Sequence, residues 1–134
     1  MKRVFGLALL VSFGLLMSAC GDGSTDSSTG DADASLFPIE VTDQRVGAGE
    51  SVYLENCASC HGPVNGPVAV KPAPIHGDAG HTWHHPDRLL FDWIMDRPPL
   101  ATLMPAFRDT LSDEEVAGVL AYIKSHWLPE IPER

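Results

Sequence analysis

Apolar and polar positions along this chain repeat with the period of helices and nowhere alternate as a strand would. The clearest run is near the C-terminus. Val116, Val119, Leu120, Ile123 and Trp127 follow an i, i+3, i+4, i+7, i+11 spacing, which puts one stripe against a core. Ahead of it Ser112-Asp113-Glu114-Glu115 forms a Ser-x-x-Glu capping box, with three acids facing the positive end of the helix dipole. Pro129 and Pro132 are expected to stop this helix. A middle helix is predicted from about Pro86, a residue suited to the first helical position, with Leu89, Leu90, Trp93 and Ile94 as its apolar residues. Arg97-Pro98-Pro99 should end it. An earlier helix is predicted from about Ala48 to the segment at Cys57, because Gly49, Tyr53 and Cys57 lie four apart on one face. The fold class this predicts is all-α.

The N-terminal third reads differently. Lys2-Arg3 precedes an uncharged run from Val4 to Cys20 rich in Leu, Val and Phe, the pattern of a secretory signal. The run falls just short of the roughly 20 residues that span a bilayer, so a retained transmembrane anchor is the weaker reading. It closes on Leu16-Met17-Ser18-Ala19-Cys20, which resembles the lipobox of bacterial lipoproteins, where the cysteine is lipidated and becomes the mature N-terminus. Met17 stands where Leu is most usual. The alternative is an ordinary signal peptide removed after Ala19. From Gly21 to about Ser35 the chain is Gly, Ser, Thr, Asp and Ala, too polar for a core and therefore a flexible tether. The expected organisation is a signal peptide over 1–19, a lipidated Cys20 with an acidic tether to 45, and one small domain over 46–134.

That domain contains Cys57-Ala58-Ser59-Cys60-His61. Cys-x-x-Cys-His supplies two thiols for thioether bonds to haem vinyl groups and an imidazole for the iron. A zinc half-site would want a second Cys or His pair at matching spacing, and a thioredoxin-like redox pair would want a βαβ context. Neither is present in the pattern. With Cys20 assigned to lipid and Cys57 and Cys60 to haem, none of the three cysteines is left for a disulfide. A domain of about 90 residues buries a modest core alone, so the porphyrin should complete it, and the haem-free form should fold poorly.

Helix, Cys-x-x-Cys-His, Pro-rich loop, Leu103-Met104-Pro105 and terminal helix, in this order over residues 46–128, resemble a class I c-type cytochrome. Gly49 and Tyr53 match the first half of that family's helix crossing, and Val119 and Tyr122 match the second. The resemblance implies one covalent haem c, with Cys57 and Cys60 as its attachment points and His61 and Met104 as axial iron ligands. It also implies a backbone carbonyl on the second nitrogen of His61, for which Pro74 is the candidate and Pro72 the alternative. Met95 is the rival to Met104, but it falls inside the predicted middle helix, where a packing role is more ordinary.

Four of the six histidines, His76, His81, His84 and His85, lie within ten residues around Trp83. One reading is a copper or zinc site, since imidazoles suit both ions. Another has one of these histidines replacing Met104 on the iron. The third is a polar loop at the haem edge, in which Trp83 and a histidine hydrogen-bond the propionates. Residues 62–80, rich in Gly and Pro, should be loop throughout.

The formal net charge is −9; removal of residues 1–19 takes Lys2 and Arg3 and no acid, leaving 7 basic against 18 acidic side chains, or −11. Such a surface repels nucleic acid and favours redox partners with basic docking patches. The function expected is one-electron transfer outside the cytoplasm by a lipid-anchored carrier or a subunit of a larger oxidoreductase, with no protein catalytic group. The alternatives from other classes are a five-coordinate haem enzyme or gas sensor, and a copper-handling module built on the histidine loop.

Overall fold

The computed structural model describes residues 34–127. The signal run, Cys20, the tether up to residue 33, and Pro129 and Pro132 lie outside the described residues. Four α-helices follow one another: α1 (Asp43–Asn56), α2 (Ala58–His61), α3 (Asp87–Asp96) and α4 (Asp113–Lys124). Short 3-10 turns occupy Ala34–Leu36 and Thr82–His84, and no strand occurs among the described residues. No described helix is long and apolar enough to cross a membrane.

Helix α4 starts where its sequence predicts but ends at Lys124, before Trp127, the last residue of the predicted stripe. Ser112 Oγ accepts from the Glu115 backbone N–H at 3.3 Å, and Glu115 Oε2 accepts from the Ser112 N–H at 2.8 Å, closing the capping box. Helix α1 starts five residues before the predicted Ala48, because Thr42 caps it: Thr42 Oγ1 accepts from Arg45 N at 3.2 Å, with Asp43 in the first turn. The segment before it is also packed. Ile39 is fully buried in the main core, with Leu36 and Phe37 against the same cluster. Residues 36–45, which composition had placed in the tether, therefore belong to the folded domain, since Leu36, Phe37 and Ile39 carry the apolar surface that residues 21–33 lack.

What fixes Ile39 is polar. Its N–H donates to Asp87 Oδ2 at 2.8 Å, and its carbonyl accepts from Lys124 Nζ at 2.8 Å. Lys124 Nζ also lies 2.8 Å from Asp87 Oδ2, with the two side chains only 2% and 3% exposed. A buried ion pair thus ties the start of α3 and the end of α4 to the chain that leads into α1, and each charge has the partners that burial demands.

Helices α1 and α4 cross at two glycines. A Cβ placed on Gly49 would lie 1.8 Å from the carbonyl oxygen of Gly118. Gly118, in the helix but absent from the predicted stripe, is thus the true counterpart of Gly49, while Val119 packs with Tyr53, Val64 and Ile123. The obstacle is backbone, which cannot rotate aside, so Gly49→Ala must push the helices apart. The expected cost is about 1–3 kcal/mol, read as a lowered melting temperature.

Helix α3 begins at Asp87, one residue after the predicted start, with Pro86 as its N-cap, and it ends before Arg97, whose φ of 74° cannot continue a helix. Its buried residues are Asp87, Leu90, Phe91 and Met95, and Leu89 is exposed. The predicted stripe was therefore only half right. The helix is apolar on two sides: Phe91 and Met95 enter the core, whereas Trp93 and Ile94 face a cavity that Leu90 also touches.

Candidate cofactor site

The cavity is built around the Cys-x-x-Cys-His turn. Helix α1 is capped at Cys57, whose N–H donates to Tyr53 O at 2.8 Å. The Cys57 carbonyl then accepts from Cys60 N at 3.1 Å and His61 N at 3.0 Å, winding the motif into the single turn of α2. Gly62 ends the turn at φ 68°, and a Cβ there would lie 2.3 Å from Pro67 O, so glycine is needed for both reasons. The phenol of Tyr53 donates to Gly62 O at 2.9 Å and clamps the turn to α1. Burial, with Cys57 and Tyr122 nearby, raises the Tyr53 phenol above its ordinary range, which keeps the donor protonated.

His61 Nδ1 lies 3.1 Å from the carbonyl of Pro74. Pro72, the other candidate, lines the cavity without making that bond. Burial lowers the His61 pKa, and the Pro74 bond opposes the shift less strongly. The imidazole is thus neutral at neutral pH, with Nδ1–H committed to a carbonyl and the lone pair of Nε2 left for another partner. Met104 lines the same cavity and is half-buried, whereas Met95 is 2% exposed inside the main core. The carbonyl of Met95 accepts from Phe107 N at 3.0 Å and Arg108 N at 3.1 Å, which fastens the loop carrying Met104 to the end of α3. Arg108 Nε adds a 2.7 Å bond to Asp96.

The space enclosed is about 410 Å³. Leu90, Trp93, Ile94, Phe107, Leu120 and Ile123 supply much of its apolar wall, and among the described residues no Asp, Glu, Lys or Arg lines it. Cys57 and Cys60 are free thiols on its edge. Burial, and then the neighbouring Cys60, pushes the Cys57 thiol up to about 11. An activated redox cysteine needs the opposite shift, which Cys57 does not have. Two thiols, an imidazole with one nitrogen committed, and a thioether around an apolar cavity fit the donor chemistry of covalent haem.

The histidine loop divides. His76, His81 and His85 line the cavity; His84 and Trp83 do not. Trp83 stacks on His84 with centroids 3.6 Å apart, and its indole N–H is donated to Gly80 O at 3.0 Å. Its one donor is thus used within its own turn. His81 meets His85 edge-on at 5.6 Å, and His85 meets Trp93 at 4.8 Å. Among the described residues no three His, Cys, Asp or Glu side chains are grouped to hold a metal ion. His76 instead stacks on His61, with ring centroids 4.2 Å apart. Burial, His61 and His81 together hold its pKa at about 3.

Sequence reasoning missed Asp87 and Lys124, the hydroxyl of Tyr53 and the pairing of His76 with His61. One signal was available: Lys124 follows Leu120 by four, which puts a charge on the apolar stripe of α4.

An all-α fold carrying this donor set on one apolar cavity defines a small c-type cytochrome domain. Residues 44–123 match the family model described as cytochrome c oxidase, cbb3-type, subunit III, and the chain belongs to this family of cytochromes. The family binds covalent haem c, and its domain is an electron carrier. The chain is 33% identical over 87 residues to the cytochrome c subunit of the quinone-dependent alcohol dehydrogenase of Gluconobacter oxydans, covering 60% of this chain and 18% of that protein. It is 30% identical over 110 residues to one of the subunits of the nicotinate dehydrogenase of Pseudomonas putida, covering 74% of this chain and 9% of the relative. The chain thus spans less than a fifth of either relative. Among solved structures, cytochrome cL of Methylophaga aminisulfidivorans superposes with a TM-score of 0.58 at 21% identity, over 79% of this chain and 72% of that one, which supports the fold.

Proposed function

We propose that this chain is an exported, lipid-anchored monohaem electron carrier in which Cys57 and Cys60 hold the haem by thioether bonds and His61 and Met104 bind its iron. The observation that carries the reading is the 3.1 Å bond from His61 Nδ1 to Pro74 O, which leaves Nε2 as the nitrogen for a metal in a cavity that Met104 also lines. When bound, the haem supplies the one-electron chemistry. The chain's own residues do the rest. The Pro74 carbonyl fixes the His61 tautomer and raises its basicity as a donor. A thioether from Met104 as a second ligand would favour the reduced state and leave less room for small substrates at the iron. The uncharged wall excludes water and keeps reorganisation small.

The lipidated Cys20 and the tether after it would hold the domain beside a bacterial membrane, outside the cytoplasm. Both relatives are named as parts of dehydrogenases, which supports a redox enzyme as the electron donor, with this chain acting as a carrier or a subunit. The net charge of −9 supports a partner with a basic patch, and the uncharged lining leaves apolar contact for the cavity mouth itself. Association should slow as ionic strength rises.

The test is optical. Matured wild type should give a low-spin ferric spectrum with the far-red methionine-to-iron charge-transfer band. Met104→Ala should lose that band and shift the midpoint potential downward, since it gives up the thioether. A high-spin ferric spectrum in the wild type would reject the carrier in favour of an open, five-coordinate site. Retention of the band in Met104→Ala would assign the ligand to another methionine.

A further inference from the structure

The histidine that stacks on His61 has no role in the reading above. The hydrogen bond to the Pro74 carbonyl holds one edge of the His61 ring, at Nδ1. A second contact bears on the face of that ring. The His76 ring lies nearly parallel to it, with centroids 4.2 Å apart and an interplanar angle of 29°, within the range in which aromatic rings attract.

His76 is itself held on several sides. Its Nδ1 is 3.0 Å from Thr82 Oγ1, and that hydroxyl is 3.4 Å from Ile75 O. A hydroxyl has one hydrogen, so when Thr82 donates to Ile75 O its oxygen is left to accept from His76 Nδ1–H. Thr82 is 5% exposed, so water competes poorly for that bond. The backbone of His76 is fixed as well, because Trp127 Nε1 donates to His76 O at 3.0 Å. The ring also meets Tyr53 edge-on, with centroids 6.3 Å apart. A leucine of similar bulk would fill the space, but it would accept no constraint from Thr82 and present no flat face to His61.

We propose that His76 is a positioning residue for His61, setting the rotation of its imidazole plane through the stack and passing to it the rigidity of the Thr82 turn. The proposal rests on His61 being an iron ligand. The plane of an axial imidazole fixes the direction of the iron orbitals it overlaps, so the readout is electronic anisotropy at the iron rather than stability.

The experiment is electron paramagnetic resonance of the matured ferric protein in wild type, His76→Leu, His76→Phe and Thr82→Val. His76→Leu should shift the low-spin g values by more than the line width. Thr82→Val, which removes only the hydrogen bond, should shift them in the same direction and by less. His76→Phe keeps a flat ring and should return them toward wild type. Wild-type g values in His76→Leu would overturn the proposal, as would equal shifts in His76→Leu and His76→Phe. Should His76→Leu fail to mature, Thr82→Val decides alone, and unchanged g values there would sink the idea. Failure of the underlying reading looks different: the wild type itself would carry no haem or show no low-spin signal.

Discussion

Lys124→Met should lower the stability of the domain by about 3–5 kcal/mol, the cost of breaking a buried ion pair from one side. The ammonium now satisfies two acceptors at 2.8 Å, Asp87 Oδ2 and Ile39 O. Methionine fills the same volume and satisfies neither. The Asp87 carboxylate, 3% exposed, would then keep only the N–H of Ile39 against the loss of its hydration. In a domain of this size each kcal/mol moves the melting temperature by about 4–8 °C, so a drop of roughly 12–40 °C is expected. Lys124→Met with Asp87→Asn should recover part of the loss, because a neutral amide still accepts from Ile39 and is cheaper to bury. Thermal unfolding of the matured protein followed by circular dichroism measures both. A drop of less than about 1 kcal/mol in the single variant would mean that the pair is solvated and structurally idle.

Cys57→Ser with Cys60→Ser should give a colourless and largely unfolded product. Serine cannot form the thioether bonds, so haem would be held only by its ligands and by apolar contact. The cavity it should fill is about 410 Å³. An empty apolar space costs about 24 cal/mol per Å³, which comes to about 10 kcal/mol as an upper bound, since water can enter through the mouth. That matches the whole stability of a typical domain, about 5–15 kcal/mol. The core alone cannot absorb it, because Leu90, Leu120, Val119 and Ile123 belong both to the buried clusters and to the cavity wall. Mass spectrometry and far-ultraviolet circular dichroism of the double variant, matured beside wild type, would check both halves. A folded, colourless product would show that the helices close the space by themselves.

How much of this was legible in the chain depended on whether the signal was local. The capping box at Ser112 and the stop at Arg97-Pro98 lie within a few residues of the features they control, and the start of α4 and the end of α3 stand where they were expected. The Cys-x-x-Cys-His turn is local too. The face of α3 was not legible, because a helix between a protein core and a cofactor cavity is apolar on both sides, and periodicity then cannot choose between Leu89 and Phe91. The start of α1 was missed for a different reason: Thr42 is one polar residue among several, and what makes residues 36–45 structured is a lysine 85 positions away from Ile39. The histidine loop shows the same limit. Composition suggested metal ligands, whereas the structure spends Trp83 and His84 on each other and brings His76 to His61 through a turn that sequence spacing does not reveal.

The clamp at Ile39 has a mechanical meaning. Any pull arriving from the N-terminal side reaches the main chain of Ile39 before it reaches α1, and there it is borne crosswise by Asp87 and Lys124, on two other helices. The load is shed into the body of the molecule ahead of Thr42, as strain relief on a cable spares the plug. Cys57 lies fifteen residues beyond Thr42, so a tug on the preceding chain would be taken up before it reached the prosthetic group.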